Sequence, residues 1–383
     1  MKKICYVTTI ATTIRAFFIP QLEYLSKNGF DVIVICSPDV NLESELSSDI
    51  KYVPIHIARG VKPHTLLKSI FSLIKTFRSE NFDMVQYSTP NAAFCASIAA
   101  KLAGVKIRNY HLMGLRYLGM SGFSAKIFKL IEKITCKLST HIECVTKSNI
   151  ELCVKEKLFK PEKVTMVWNG SSGGVDIKRF DCQKRDKWAE EVRAELGLSR
   201  NDFIFGFVGR ITRDKGINEL TQAFLKLDNV AKLLIIGNKE GIETLNKNLW
   251  ERAKRNSNII ILDSVTDIER YYAAMDVLVL PSYREGFGMV IAEAAAVGTP
   301  AIISNIPGPI DVIKENETAF VVEPRNIESL YKKKKEKVDK KELLDSMSKT
   351  CVKYITEQFD GEILNEKILE RKKNLCGKSD TDE

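Results

Sequence analysis

The chain has 383 residues, 44% hydrophobic and 28% charged, a globular composition that excludes a disordered or collagen-like protein. Its length suits two domains, and no run of about 18 apolar residues offers a transmembrane helix. The formal charge of +9 is uneven: residues 1–180 carry a net +11 and the remainder −2, which marks a solvated face, an attraction to an anionic membrane surface or an anionic substrate, with nucleic acid ranking behind these.

KICYVTTI at the start reads as an apolar strand. It is not read as a secretion signal, because Thr residues and Arg15 interrupt the apolar stretch and no small-residue cleavage site follows. IRAFFIPQLEYLSKNG reads as one helix ending at Gly29. FDVIVICS and YVPIHIA read as strands, HTLLKSIFSLIKTFRSEN as a helix and FDMVQYST as a strand. NAAFCASIAAKLAG is a small-residue helix closed by Gly104, and VKIRNYHL a further strand. FSAKIFKLIEKITCKL then puts apolar residues at 127, 128, 130, 131, 134 and 138 and Lys at 126, 129, 133 and 137. That is an amphipathic helix with a basic face, which either packs with its lysines in solvent or docks on an anionic membrane.

The polar stretch 178–200 predicts the domain boundary, and the alternation of strand and helix restarts beyond it. The strands are continuous apolar runs, as in parallel sheets covered on both faces, so the pattern predicts two doubly wound βα domains. KKKKEKVDKKE near 332–342 reads as a solvated helix face or loop, and GKSDTDE as a disordered tail. The nine Cys show no CxxC, and His56, His64, His111 and His141 no paired spacing. A zinc site is not expected, and the dispersed Cys suit a reducing cytoplasm.

The chemistry concentrates in the second half. FGFVGRITRDKG puts Gly209 and Arg210 at the end of a strand and Lys215-Gly216 just before a helix. Arg and Lys together beside a helix N-terminus suit a diphosphate, although a surface ion pair explains the same residues. In VLVLPSYREGFGMVIAEAAAVGTPAIISN, Gly286 and Gly288 let backbone N–H groups approach a ligand at a helix N-terminus. Glu285 sits in that loop, and Glu293 lies about two helical turns further on, among Ala292, Ala294, Ala295 and Ala296, which leave space for a ligand. A carboxylate there can accept from the adjacent hydroxyls of a ribose. Either carboxylate alone reads as a surface or helix-dipole residue. Their conjunction with Arg210 and Lys215 on successive units of one sheet favours a ligand site at the strand carboxyl ends.

EGFGMVIAE, with its flanking PS and the GTP-AIIS that follows, and G-R-x4-K-G ahead of it, resembles the retaining glycosyltransferases of family 4. The likeness also takes in WNGSSGGVDIKRF, LLIIGN and an amphipathic helix near 350–373. NGSSGGVD is similar to a variant of the N-G-V-D signature of bacterial capsule and O-antigen transferases. The resemblance implies the GT-B form of the α/β class: two Rossmann-like doubly wound domains facing a cleft, with the C-terminal helix crossing back to the first domain. The domains would be 1–180, completed by a helix at about 355–375, and 181–354, with a tail at 376–383. It implies a hexosyl- or N-acetylhexosaminyl-type transferase that uses a nucleotide-sugar, a UDP-sugar, as substrate, with retention at the anomeric carbon, no essential metal and no cofactor.

By the same resemblance Arg210 and Lys215 hold the diphosphate and stabilise the leaving group. Glu293 binds the ribose, and Glu285 with the backbone of Gly286, Phe287 and Gly288 holds the donor sugar. Gly209 supplies the sharp turn, and the strand end at Ser264-Val265 meets the base. Three departures stand out. TTIATTIRAFF replaces a Gly-rich loop, Asp263 stands where a Gly is common, and Met113 precedes Gly114 where many members have His. The His role then passes to His111, which reads equally as a buried strand end. Asp380-Thr381-Asp382 looks like the D-x-D metal motif of another transferase class, but a terminal tail gives a metal no rigid frame. The basic half suits a lipid-linked acceptor, an undecaprenyl-diphosphate saccharide at an anionic membrane surface, in capsule, O-antigen or exopolysaccharide synthesis. The protein is expected in the cytoplasm or peripheral at the inner face of the cell membrane, without nucleic acid as a partner. The alternatives are a nucleotide-sugar 2-epimerase of the same fold and a non-catalytic polyanion or membrane binder.

Overall fold

Runs such as Phe30–Cys36 (FDVIVIC) place apolar side chains on both faces of a strand, and six of its seven residues are buried. Such strands are stable only inside a sheet covered on both sides. The computed structural model describes residues 1–60, 62–227, 230–338 and 340–377, and Asp380-Thr381-Asp382 lies outside them. Two units result, unit 1 from Met1–Gly174 with Gly361–Glu383 and unit 2 from Val175–Asp360.

Unit 1 holds seven parallel strands: β1 (Lys2–Val7), β2 (Phe30–Cys36), β3 (Ile50–Pro54), β4 (Met84–Tyr87), β5 (Ile107–Leu112), β6 (His141–Cys144) and β7 (Val164–Thr165). Their order is β3-β2-β1-β4-β5-β6-β7, so the winding reverses between β1 and β4. At that reversal the hydroxyls of Thr9 and Thr89 lie 2.7 Å apart. The helices are α1 (Ala11–Phe17), α2 (Ile19–Lys27), α3 (Leu42–Glu45), α4 (Pro63–Glu80), α5 (Pro90–Leu102), α6 (Gly122–Leu138) and α7 (Lys147–Lys155). The expected single helix ending at Gly29 is thus two. Pro20 has no N–H to bond back one turn, and the chain breaks at Phe18.

Unit 2 holds six parallel strands: β8 (Ile204–Val208), β9 (Lys232–Ile236), β10 (Ile259–Leu262), β11 (Val277–Leu280), β12 (Ala301–Ser304) and β13 (Ala319–Val322), in the order β10-β9-β8-β11-β12-β13. Its helices are α8 (Arg185–Glu195), α9 (Ile217–Phe224), α10 (Lys247–Arg255), α11 (Ile268–Ala274), α12 (Met289–Ala296), α13 (Ile327–Val338) and α14 (Lys341–Phe359). The stretch 178–200, expected as a linker, contains α8. Val192 on that helix is fully buried, and Arg193 pairs with Asp276 at 3.1 Å.

The final helix, α15 (Gly361–Gly377), belongs to unit 1. Leu369, Leu375 and Cys376 join the apolar cluster under α2. The amphipathic stretch near 350–373 is therefore two helices, broken at Asp360. Val175 N–H donates to Phe359 O at 2.8 Å, which ties residues 175–180 to unit 2. The division accordingly falls after Gly174 and Asp360 instead of 180 and 354, and the helix runs to Gly377, past the expected start of the tail at 376.

The lysine run is a solvated helix face or loop only in part: Lys332, Lys335 and Lys340 are exposed, but two of its lysines turn inward. Lys334 is fully buried and Lys337 is 3% exposed, on the same stripe of α13 as buried Leu330. Lys334 Nζ lies 4.5 Å from the Phe205 ring centre and 4.9 Å from that of Phe224, with no hydrogen-bond acceptor among the described residues. Burial pulls its amine down to about 7. Between pH 7 and about 10.5 the unfolded chain therefore binds more protons at this site than the folded one, so stability rises with pH across that window. Lys334→Met is expected to stabilise unit 2 by about 2 kcal/mol at pH 7, with the gain shrinking by pH 9. Melting temperatures of both proteins at the two pH values check this; a pH-independent gap would remove Lys334 as its source.

Candidate active site

The site in unit 2 is built at the carboxyl ends of β8 and β11, where an open parallel sheet presents its loops. Gly209 follows β8, its N–H bonded to Ile236 O at 3.0 Å, and Arg210 leaves the sheet beyond it. Lys215 ends the short turn before α9. Gly216, at φ +74°, caps that helix, and a Cβ there would come within 2.1 Å of Pro281 O. That close approach brings Lys215 against the loop following β11.

Lys215 Nζ donates to Glu285 Oε1 at 2.6 Å, and Ser282 Oγ donates to the same oxygen at 2.8 Å. Both charged side chains are largely buried, at 18% and 12% exposure. Arg210 is half-exposed, and its nearest carboxylate, Asp214, is 3.7 Å away. Asp214 is held by Arg284 at 2.8 Å and by the Thr212 hydroxyl at 2.5 Å. Burial opposes ionisation of Asp214, but Thr212 and Arg284 outweigh it and keep the carboxyl below its ordinary range. Arg210 thus projects a half-exposed guanidinium, loosely paired with Asp214, from the same loop that carries Lys215 of the fixed Lys215–Glu285 pair.

Gly288, at φ +98°, caps α12, and the Phe287 ring packs edge-on against Phe359 at 5.2 Å, anchoring the Glu285–Gly288 loop from below. Glu293 lies on the first two turns of α12 and is partly buried. Tyr272 OH on α11 donates to its Oε2 at 2.9 Å. Burial pushes the Glu293 carboxyl up, against the Tyr272 hydroxyl and Arg179, which pull it down. The four alanines around it are buried in the packing of α12. Val265 lies just past β10, partly exposed, two residues after Asp263, which pairs with Lys239 at 2.7 Å.

His111 belongs to unit 1, whereas the residues above belong to unit 2. It is 8% exposed, its Nδ1 is 3.5 Å from Gln86 Nε2, and the Phe18 ring meets it edge-on at 5.5 Å. Burial lowers its pKa to about 4, so it is neutral at physiological pH. Beneath it lies a buried ion pair that the sequence did not suggest: Lys372 of α15, fully buried, reaches Glu143 Oε2 and Gln86 Oε1, each at 2.6 Å. Lys372 keeps Glu143 ionised, below its ordinary range, against the cost of burial.

The basic helix α6 keeps Lys126, Lys133 and Lys137 in solvent, as read, and departs from the reading at Lys129. Lys129 pairs with Glu156 at 3.0 Å. The exposed strip consists of Phe123, Lys126, Leu130, Lys133 and Lys137, with Phe123 at 78% and Leu130 at 58% exposure. On α4, Leu67 and Phe71 are exposed among Lys68 and Lys75. Among the described residues no helix is long and apolar enough to cross a membrane.

Comparison with known proteins places this geometry. The family described as glycosyl transferases group 1 matches residues 189–353, and the glycosyl transferase 4-like family matches residues 3–146. The chain is 31% identical over 371 residues to the capsular polysaccharide biosynthesis glycosyltransferase CapM of Staphylococcus aureus, covering 96% of each. It is 29% identical over 349 residues to a UDP-Gal:alpha-D-GlcNAc-diphosphoundecaprenol alpha-1,3-galactosyltransferase of Escherichia coli, covering 89% of this chain and 88% of that one. In fold it is similar to sucrose-phosphate synthase from Thermosynechococcus elongatus, with a TM-score of 0.82 at 17% identity, covering 99% and 100% of the two chains.

Proposed function

The chain belongs to the group 1, 4-like glycosyltransferases and has their GT-B fold, and from that premise we propose that it moves a sugar from a UDP-sugar, with retention, onto a saccharide carried on undecaprenyl diphosphate. The product would enter a bacterial surface polysaccharide. The observation that carries this reading is the convergence of Arg210, the Lys215–Glu285 pair and the Gly288 helix N-terminus on the carboxyl ends of β8 and β11. Arg210 and Lys215 would stabilise the charge that develops on the departing diphosphate, so no metal is required for that task. Glu285 and the amides of Gly286, Phe287 and Gly288 would orient the donor sugar, Val265 would adjoin the base, and Glu293 would accept from the ribose hydroxyls. His111, neutral and buried, would contribute a hydrogen bond and not a proton. The relatives named above, one for capsular polysaccharide and one for a diphosphoundecaprenol acceptor, support the acceptor class.

Thermal stabilisation by UDP-, GDP- and ADP-sugars without metal tests the donor. At 100 times its dissociation constant a ligand adds about 2.7 kcal/mol. A shift with the UDP series that is lost in both Glu293→Ala and Arg210→Ala is the expected result. Stabilisation by all three series alike, or by none, would overturn the donor assignment, and stabilisation without transfer to any acceptor would leave the 2-epimerase.

Tyr272→Phe gives a finer check. Loss of its hydroxyl lets the Glu293 carboxyl rise further, and only the ionised carboxylate can accept from both ribose hydroxyls. The KM for donor should therefore increase several-fold at pH 6 and little at pH 8, with the melting temperature nearly unchanged. An acid limb identical to the wild type would exclude Tyr272 from holding Glu293.

The working place we assign is the inner face of the cell membrane. Phe123 and Leu130 would enter the headgroup boundary while Lys126, Lys133 and Lys137 meet anionic lipid, at about 1 kcal/mol per basic residue near the surface. Co-sedimentation with anionic vesicles at low salt should fall when these three lysines become Gln; binding that ignores the substitutions would reject this docking face.

A further inference from the structure

Unit 1 contains a second candidate site, in a cavity of about 560 Å³ over the carboxyl ends of β1, β2 and β3. Its lining includes Thr12, Ser37, Asp39, His56, Arg59 and Lys62. The wall from His56 to Gly60 has no strand ladder, yet side chains from the loop after β2, from α4 and from α5 fix it. Ser37 Oγ accepts from Ile57 N at 3.1 Å, Ser69 Oγ accepts from Ala58 N at 3.1 Å, and Asn91 Nδ2 donates to Gly60 O at 2.5 Å. Arg59 is therefore carried on a braced segment.

The electrostatics point one way. Unit 1 has six arginines, and Arg59 is the one whose side chain meets no hydrogen-bond, ion-pair or ring partner among the described residues. Lys62 precedes α4, an 18-residue helix whose first turn no side chain caps, and it too lacks a carboxylate partner among the described residues. The single carboxylate of the lining, Asp39, is already engaged. Arg15 holds it through contacts of 2.6 and 3.1 Å, and it accepts from the amides of Asn41 and Leu42. The Arg15 guanidinium, with those amides, lowers its pKa to about 2. What remains open to a ligand among the described residues is a guanidinium, an ammonium, the Thr12 hydroxyl and an uncapped helix start, which together match an oxyanion. The volume suits more than one phosphate, within the usual range for a small-molecule site.

We propose that this cavity binds the diphosphate group of the acceptor, with Arg59 and Lys62 as its principal contacts. The assignment rests on the acceptor class proposed above and adds to it the place where the acceptor's charge is read. The same chemistry would admit free inorganic pyrophosphate, so the test needs arms that separate the two.

The variant is Arg59→Gln with Lys62→Gln, both exposed positions whose loss leaves the core intact. Three quantities are measured on it and on the wild type: stabilisation by the donor, binding of inorganic pyrophosphate, and transfer to a short-chain prenyl-diphosphate saccharide. Donor stabilisation should be unchanged. Acceptor KM should rise at least about tenfold while kcat changes little, with Arg59→Lys recovering part of the loss. Pyrophosphate should compete with the acceptor in the wild type and lose its binding in the variant. Pyrophosphate that binds the wild type without competing with the prenyl acceptor would make the cavity a site for the free anion and overturn the acceptor assignment. Equal acceptor KM in variant and wild type would overturn the proposal while leaving the transferase reading intact. Failure of the wild type to use any diphosphate-linked acceptor would instead overturn the acceptor class, and with it this role for the cavity.

Discussion

Replacing Lys372 with methionine should cost about 3 kcal/mol of folding stability, because it leaves the Glu143 carboxylate buried with its hydrogen-bonded cation gone and Arg371, 3.7 Å from its other oxygen, as the remaining ion-pair partner. The loss should appear in unit 1, as a lowered urea midpoint for the transition that reports its melting. A double change, Lys372→Met with Glu143→Leu, should recover most of it, since the penalty lies in the orphaned charge and not in the missing attraction. A single-variant loss below about 1 kcal/mol, or no recovery in the double, would show that the pair does not hold α15 in place.

The largest effect on activity is expected at Arg210 and Lys215. Arg210→Ala should lower kcat by about 10²–10³-fold, or about 3–4 kcal/mol of transition-state stabilisation, if the guanidinium acts on the leaving diphosphate. Its half-exposed side chain has no core contacts to lose, so the melting temperature should stay within a degree or two of the wild type. Lys215→Met should show a comparable kinetic loss together with some destabilisation, because Glu285 is left largely buried with Ser282 as its remaining partner. Single-turnover rates with saturating donor separate this from weakened binding. An unchanged single-turnover rate in Arg210→Ala would remove it from the chemistry.

Much of this site could be read from residue spacing, since Gly209-Arg210, Lys215-Gly216 and the Glu285–Glu293 interval are short-range signals that a strand, loop and helix turn into neighbours. What holds them was not legible. Tyr272 reaches Glu293 from a different helix, and Ser282 and Lys215 meet at Glu285 across two βα units. Contacts between units of a sheet leave no periodicity in the chain. Lys334 was misread for a different reason. Its positions relative to Leu330 and Lys337 follow the apolar stripe of a helix, but lysine is so seldom fully buried that the charge overrode the spacing.

The interruption of unit 1 by unit 2 has a consequence for biogenesis. Glu143 and Lys372, which neutralise each other in the native state, leave the ribosome on either side of the whole of unit 2. They are 229 residues apart, so at roughly 5–20 residues per second that delay is about 10–45 s. Unit 2 is continuous and can close during translation, whereas the nascent first unit waits with an uncompensated carboxylate and an uncovered apolar face near α2 until its last helix arrives. Nascent chains stalled before α15 should accordingly be captured by chaperones through unit 1, and release should coincide with completion of the final helix.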